Sequence, residues 1–235
     1  MANVELTLEA SGLPVSLSAG QQGIVVALKA KNASLKPVSV SFTVSLADSD
    51  GKQVEAAVEP RVAMLEGQGE AEAEVKFGLK ESAARGPLTL SAYVSENAMY
   101  IDKPSAKSNI VAITSQVKLP MRLEYRRGSA CFERQENGAE ALCLTFDNLG
   151  ESGGQVGPKS SALYGKEKEL ERAQLFESVK VKGKEKGVRL KFMPAKKIEL
   201  ERVEAELVGV DANGKPYNLK QVLEGKARTM KKKEK

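Results

Sequence analysis

The sequence predicts an all-β protein of two tandem antiparallel β-sandwiches followed by a short basic tail. Apolar residues recur at every second position in several short segments, as in strands that place one face on a core and the other in water. Turn-forming residues separate these segments at short intervals. The length of 235 residues suits two domains of about 110 residues each.

The first half shows the alternation most clearly, in four segments. They are Ile24 to Leu28, Val38 to Leu46, Glu70 to Leu79 and Leu88 to Val94. Turn signals such as Asp48-Ser49-Asp50-Gly51 lie between them. Short strands at this spacing are typical of an immunoglobulin-like sandwich. Phe77 lies on the apolar side of its segment, so we expect it in the core.

The second half repeats the pattern less regularly, and it predicts a second immunoglobulin-like antiparallel sandwich. Its apolar rows are Met121 to Tyr125, Leu142 to Phe146, Val179 to Val181, Val188 to Phe192 and Ala205 to Val210, followed by Tyr217 and Leu219. Residues 150–165 are glycine-rich and are predicted to form a long loop. The segments Lys166 to Phe176 and Ala195 to Glu206 suit either a strand or a helical turn. We place the domains at 1–118 and 119–225 and the basic tail at 226–235, because Pro120 restricts the chain near the link.

Residues 19–96 resemble the CARDB-type and related bacterial and archaeal immunoglobulin-like domains. The resemblance rests on Ala19-Gly20-Gln21, Lys31-Asn32-Ala33-Ser34, Pro37-Val38, Asp48 to Lys52, Leu65-Glu66-Gly67-Gln68 and Gly86. It covers about a third of the chain, and its motifs concern turns. The resemblance implies a seven-stranded sandwich that serves as a spacer, adhesion or docking module, usually outside the cell.

The net charge of +5 is concentrated at the C-terminus. The last ten residues hold six of the 36 basic residues and only one of the 31 acidic residues, so the preceding part is neutral overall. The folded body therefore has no excess charge to attract an anionic polymer. The tail is a candidate partner-binding segment, for protein or nucleic acid, through Lys226, Arg228, Lys231, Lys232, Lys233 and Lys235.

The composition argues against most catalytic and metal chemistry. There is no histidine, which excludes Ser-His-Asp and Cys-His pairs and histidine-ligated metals. Two cysteines cannot supply a four-cysteine site in one chain. Glu70, Glu72 and Glu74 are predicted to form a solvated strand face, and Asp48 and Asp211 to begin hairpin turns. We predict no catalytic, cofactor-binding or metal-binding residue.

The two cysteines flank a hairpin signal at Gln135 to Ala139. A loop centred on Asn137 would set Cys131 and Cys143 directly opposite each other, with Phe132 and Leu142 paired on the core-facing side. Two interpretations stay open. The cysteines form a cross-strand disulfide, or they are two small, inert strand residues kept reduced in a cytoplasmic setting.

Three functional hypotheses follow. The first is a non-catalytic structural or interaction protein, a subunit or docking module of a larger assembly that needs no cofactor. The second is a nucleic-acid-associated accessory factor that uses the tail, and the third is a carboxylate-based enzyme or carbohydrate-binding module. No signal peptide or membrane-spanning segment can be recognised in the sequence, which predicts a cytoplasmic protein, with a component of a virus particle as the alternative.

Overall fold

A computed structural model describes residues 5–97, 106–165, 172–193 and 198–229, and in these ranges all regular structure is β-strand. The predicted all-β class is therefore confirmed. Among the same residues, no helix of the length and apolarity needed to cross a bilayer occurs. The chain divides into two compact units, Met1–Lys118 and Leu119–Lys235, each with its own buried apolar core.

Unit 1 contains nine strands in two sheets. The strands are β1 (Leu6–Ser11), β2 (Ser16–Ser18), β3 (Ile24–Asn32), β4 (Val38–Ala47), β5 (Ala56–Glu59), β6 (Val62–Leu65), β7 (Glu70–Phe77), β8 (Gly86–Glu96) and β9 (Val111–Lys118). One sheet has the order β1-β3-β7-β5 and the other the order β2-β9-β8-β4-β6. This division of early and late strands between two sheets is that of an immunoglobulin-like sandwich.

The core of unit 1 follows directly from the two-residue alternation. In β3 every second residue from Ile24 to Asn32 is buried and every residue between is exposed. Val75 and Phe77 of β7 pair with Val26 and Ile24, and all four side chains lie in the core. Phe77 is only 6% exposed, so its predicted core position is confirmed.

Unit 2 contains eleven strands joined by one continuous network of pairings. They are β10 (Leu123–Tyr125), β11 (Cys131–Arg134), β12 (Glu140–Asn148), β13 (Gly154–Val156), β14 (Ala162–Tyr164), β15 (Arg172–Leu175), β16 (Val179–Val181), β17 (Val188–Met193), β18 (Val203–Asp211), β19 (Pro216–Leu223) and β20 (Arg228–Thr229). The order is β16-β13-β18-β14-β15-β17-β12-β11-β20, with β10 also on β12 and β19 also on β18.

One local prediction for unit 2 is wrong, and two that stayed open between strand and helical turn are settled as strand. Residues 150–165 do not form one long loop, because they contain β13 and β14, which both pair with β18. Residues 172–175 of the first ambiguous segment form β15, and residues 203–206 of the second begin β18. In all three cases the backbone N–H and C=O groups bond to a neighbouring strand. In a loop they would bond to water or side chains, and in a helical turn they would bond within the segment. Residues 166–171 and 194–197 lie outside the described ranges.

A buried asparagine ends β3 and ties three chain segments together. The Asn32 side chain is fully buried, and its amide nitrogen donates to the carbonyl oxygens of Lys36 at 2.7 Å and Glu66 at 3.0 Å. Its Oδ1 accepts from the Ser34 backbone N–H at 3.0 Å and from the Ser34 hydroxyl at 2.6 Å. We call this arrangement the asparagine clamp, because it joins the end of β3 to the loops before β4 and before β7.

The same clamp occurs in unit 2 at the end of β12. Asn148 is 2% exposed, and its amide nitrogen donates to Ser152 O at 3.0 Å and Lys182 O at 2.8 Å. Its Oδ1 accepts from the backbone N–H groups of Gly150 and Arg122, at 2.9 and 3.0 Å. Ser152 and Lys182 stand at the same spacing from Asn148 as Lys36 and Glu66 stand from Asn32.

The backbone around the two clamps is also equivalent. Gln68 and Lys184 are the non-glycine residues with positive φ in the described ranges, at 59° and 55°. Each follows a glycine whose added Cβ would overlap a backbone carbonyl oxygen, that of Leu35 at Gly67 and that of Glu151 at Gly183. The two units therefore build one structural device from largely different sequences.

The first test concerns the core of unit 1. Phe77→Ala should lower the free energy of unfolding by about 3–5 kcal/mol, since it removes buried apolar surface and leaves a cavity. Urea denaturation followed by circular dichroism measures the change. Val25→Ala on the outer face of β3, which is 44% exposed, is the matched control. A loss below about 1 kcal/mol for Phe77→Ala would contradict the assigned core.

The second test concerns the clamps. Asn32→Ala and Asn148→Ala should each lower the free energy of unfolding by roughly 3 kcal/mol, because the two backbone carbonyls and the two donor groups bonded to each buried amide lose their partner together. The same denaturation experiment applies. Asn218→Ala, at an exposed position of β19, should change stability by less than about 0.5 kcal/mol. Equal small effects at all three positions would show that the clamps do not stabilise the fold.

Candidate functional site

The two cysteines of the chain meet on neighbouring strands of unit 2. Cys131 of β11 and Cys143 of β12 are direct antiparallel partners, and Phe132 pairs with Leu142 on the next rung. This is the register predicted from the sequence, and it is confirmed. Both cysteines are free thiols, buried to 8% and 1% exposure.

The hairpin between the strands explains the register. Gln135 donates its N–H to Ala139 O at 2.8 Å, and Gly138 donates to Gln135 O at 3.0 Å. The Asn137 side chain accepts from the Ala139 N–H at 3.0 Å, and Gly138 takes a φ of 79° that other residues rarely adopt. The five-residue turn is therefore centred on Asn137, and this fixes which residues oppose each other.

Charged side chains surround the thiols on the outer face of the sheet. Glu133, also on β11, is ion-paired with Arg189 of β17 and lies 3.5 Å from the ammonium of Lys191. Arg189 Nη2 also donates to Cys131 Sγ at 3.9 Å. The ligand atoms of Cys131, Glu133 and Cys143 all lie within 4.8 Å of one another. We call these five residues the thiol cluster.

The two thiols differ in their electrostatic surroundings. Burial, and then the hydrogen bond that its thiol donates to Glu133, raise the pKa of Cys143 to about 12. Burial opposes ionisation of Glu133, but the hydrogen bonds from Arg189 and Cys143 outweigh it and lower the pKa of that carboxyl. Cys143 is therefore held as a neutral thiol beside a carboxylate, whereas Cys131 faces a guanidinium.

The thiol cluster contains three potential metal-ligand atoms, two sulfurs and one carboxylate oxygen, but its charges suit thiols better than a cation. The one carboxylate is already neutralised by Arg189 and Lys191, and the raised pKa of Cys143 opposes the thiolate that a soft metal needs. Two thiols on directly opposed strand positions are, in contrast, close to the geometry of a disulfide.

The predicted partner-binding tail is described only at its start. Lys226 is exposed, and Arg228 and Thr229 form β20, which pairs in parallel with Cys131 and Phe132 of β11. The tail boundary predicted at residue 226 is therefore wrong, since the sheet extends to Thr229. Lys231, Lys232, Lys233 and Lys235 lie outside the described residues.

The acidic segments singled out in unit 1 have structural roles. Glu70 pairs with Lys29 at 2.6 Å, and Lys76 pairs with both Glu74 and Glu59 at 3.0 Å, all on the exposed face of β3, β5 and β7. This agrees with the predicted solvated face. Asp48 begins a hairpin turn, as predicted, because its Oδ1 accepts from the N–H groups of Asp50 and Lys52.

The sequence analysis does not predict a second surface, which lies on the other sheet of unit 1. Its outward residues on β4 and β8 form cross-strand pairs such as Ser41 with Ser95 and Ser45 with Ser91. We call it the hydroxyl face; it comprises Ser39, Ser41, Thr43 and Ser45 of β4, Thr89, Ser91, Tyr93 and Ser95 of β8, and Ala112, Thr114 and Gln116 of β9. In the sequence this face appears only as serine and threonine between the apolar residues, which predicts an outward side but not an uncharged surface shared by three strands.

The strand at one end of this sheet adds an apolar border. β6 pairs with β4 on one side, and no strand pairs with its other side in the described ranges. Its side chains Val62 and Met64 are 46% and 63% exposed. Both point outward beside Ser41 and Ser39, so the border is continuous with the hydroxyl face.

Comparisons with known proteins give similarities of fold only. No family profile and no curated protein sequence matches the chain. Among solved structures, the YadV chaperone is 12% identical, with 92% of this chain and 99% of that chain covered and a TM-score of 0.32. The periplasmic chaperone SfaE is 14% identical, with 94% and 100% covered and a TM-score of 0.32. The PapD-like domain 7 of human CEP192 is 13% identical, with 48% and 84% covered and a TM-score of 0.29.

At these identities and TM-scores the matches do not bear on function. The immunoglobulin-like part of the predicted resemblance is confirmed by the strand order of unit 1. The comparisons do not show the CARDB-type family, which stays a prediction. The chain is an all-β protein whose first unit is an immunoglobulin-like sandwich.

Proposed function

We propose that the chain is a non-catalytic interaction protein whose first unit binds an extended segment of a partner polypeptide along β6. The observation that carries this proposal is that β6 is an uncharged edge strand with two large exposed apolar side chains. An unpaired edge offers backbone N–H and C=O groups that an added strand can bond, and alternate side chains then supply specificity.

Within its four residues β6 lacks the usual protection of an edge, although Pro60 and Arg61 precede it and Glu66 follows it. Proteins commonly shield edges with charged residues, proline or bulges. Val62, Ala63, Met64 and Leu65 carry no charge, and Leu65 is fully buried, which anchors the strand in the core. Val62 and Met64 remain on the outer face, where the side chains of an added strand would lie beside them.

Other strands at sheet edges in the described ranges differ from β6. On β5, Glu59 is ion-paired with Lys76. On β19, Lys220 is ion-paired with Glu206 at 2.7 Å. β2 is only three residues long, and its Leu17 and Ser18 are buried. An added strand at β5 or β19 would lie next to charges that prefer water, whereas at β6 it would meet apolar and hydroxyl groups.

The hydroxyl face supports the same proposal. A neutral surface of serine and threonine costs less to remove from water than a charged one, because hydroxyls can exchange water for a protein partner. The opposite sheet carries the ion pairs of Glu70, Glu74 and Lys76 and would lose more solvation. A partner strand on β6 could therefore extend over the hydroxyl face with little electrostatic penalty.

A crosslinking experiment tests the site. A photoreactive amino acid placed at position 64 should form covalent adducts with one defined partner in the cells of origin. The matched control places it at position 25, an exposed valine on the outer face of the other sheet. Adding Val62→Lys to the first variant should remove at least about nine-tenths of the adduct, because the charge would be desolvated by the incoming strand.

The crosslinking result separates the alternatives by mass spectrometry. An adduct between two copies of the chain would identify the partner strand as β6 of a second molecule. Equal adducts from positions 25 and 64, or an adduct unaffected by Val62→Lys, would contradict the proposed site. Val62→Lys should change the free energy of unfolding by less than about 0.5 kcal/mol, since the side chain is half exposed.

The tail offers a second candidate function, because the excess positive charge of the chain is concentrated there. Clustered cations neutralise nucleic-acid phosphates and give affinity that falls steeply with salt. The first residues of the tail also belong to the fold of unit 2. Ala227 packs against the core of unit 2 and β20 pairs with β11, so a chain ending at Gly225 would lose part of the fold as well as the tail.

We expect a chain ending at Thr229 to keep the full-length melting temperature and one ending at Gly225 to melt at a lower temperature. The first removes only residues after β20, and the second also removes the β20 pairing. Thermal circular dichroism makes the comparison. The crosslink from position 64 should survive in the chain ending at Thr229. Loss of that crosslink in the chain ending at Thr229 would show that the tail is needed to bind the protein partner. Loss of salt-sensitive binding to duplex DNA or RNA alone would show that the tail binds nucleic acid.

A further inference from the structure

We propose that Cys131 and Cys143 are a redox site that closes to a cross-strand disulfide by exchange with a small disulfide such as glutathione disulfide. The site lies in unit 2 and is independent of the binding surface proposed in unit 1. It rests on three observations: the opposed strand positions, the different neighbours of the two thiols, and their location on the face away from the core.

The strand register brings the sulfurs within reach of each other. Cys131 and Cys143 are direct antiparallel partners, and their Sγ atoms are within 4.8 Å. The Cβ atoms of opposed strand residues are about 4.5–5.5 Å apart, whereas those of a disulfide are about 3.5–4.5 Å apart. Closing the bond therefore needs side-chain rotation and a small approach of the two strands, but no change of register.

The thiols are buried under charged side chains and do not belong to the apolar core. On β11 and β12 the core contains Leu142 and Leu144, with Phe132 packed against it. Cys131 and Cys143 lie on the opposite face, where Glu133, Arg189 and Lys191 border them. A disulfide formed there leaves the core packing in place.

The different neighbours set the order of the exchange. Arg189 Nη2 donates to Cys131 Sγ, and Cys131 is also the more exposed of the two thiols, so it is the one that a small disulfide can reach. Cys143 donates a hydrogen bond to Glu133, and burial together with that carboxylate raises the pKa of Cys143 to about 12. Cys131 is therefore the attacking sulfur, and Cys143 is the resolving one.

The electrons and protons balance in two steps. The Cys131 thiolate attacks one sulfur of glutathione disulfide, the S–S bond breaks, and one glutathione thiolate leaves and takes up the proton lost by Cys131. Cys143 then attacks Cys131 Sγ in the mixed disulfide, and its proton goes to the second leaving glutathione thiolate. The protein loses two electrons and two protons, and one glutathione disulfide becomes two glutathione molecules.

The test uses the full-length chain, in which these are the only two cysteines. The protein is equilibrated in buffers of glutathione and glutathione disulfide, quenched with acid, denatured, alkylated and weighed by intact-mass spectrometry. We expect two alkylated thiols in reducing buffer. In oxidising buffer we expect none, with a mass decrease of two hydrogen atoms, no retained glutathione, and full reversal by dithiothreitol.

Two single variants test the assigned roles. Cys143→Ser should stop at a glutathione adduct on Cys131, and Cys131→Ser should react more slowly. Arg189→Gln should slow the first step about threefold or more, because it removes the positive charge that contacts Cys131 Sγ. Arg126→Gln, which removes a different arginine–aspartate pair of the same unit, should leave the rate unchanged.

The wild-type measurement alone can overturn the proposal, so the result does not depend on every variant folding. The urea-unfolded chain serves as the reference in the same oxidising buffer. If it forms the disulfide while the folded chain keeps both thiols, the fold prevents the bond. Stable glutathione adducts or disulfide-linked dimers of the wild-type chain would equally contradict an intramolecular pair.

Discussion

The buried asparagine at the end of β3, and its equivalent at the end of β12, is the constraint on which the rest of the structure depends. Each side chain uses both its donor and acceptor groups within the protein, so no part of the amide is left without a partner. The clamp closes the loop before the next strand and fixes where β7 or β17 begins. Since β7 pairs with β3 and β17 pairs with β12, the clamp joins each central strand to the loop that precedes its partner strand.

The alternation of apolar and polar residues was enough to predict the class, the core position of Phe77 and the partners of Cys131 and Cys143. These features depend on local periodicity and turn chemistry, which the sequence states directly. The clamps could not be predicted, because an asparagine followed by small residues reads equally well as an exposed turn. Only the hydrogen bonds to backbone carbonyls 34 residues away, that of Glu66 for Asn32 and that of Lys182 for Asn148, distinguish the clamps from such turns.

Short strands were the main failure of prediction. β13 and β14 contain three residues each, too few to show a period, and glycines such as Gly154 made the segment resemble a loop. Those glycines are there because the backbones approach closely: a Cβ on Gly154 would meet the Val210 carbonyl. The candidate sites could not be predicted from local sequence either. Arg189 contacts Cys131 from a strand 58 residues away in the sequence, and β6 is an edge strand only because of the strand order of its sheet.

The two outer faces of unit 1 respond to different properties of the surrounding solution. On the face of β3, β5 and β7, dissolved ions weaken the pairing of lysine with glutamate, and protonation at low pH would remove it. The hydroxyl face has little charge to screen, Lys107 over the Tyr93 ring being one cation there, so the contact proposed for it should change little between fresh, saline and mildly acidic surroundings. In the proposed function, one sheet of the sandwich keeps its ion pairs in water while the other contacts the partner.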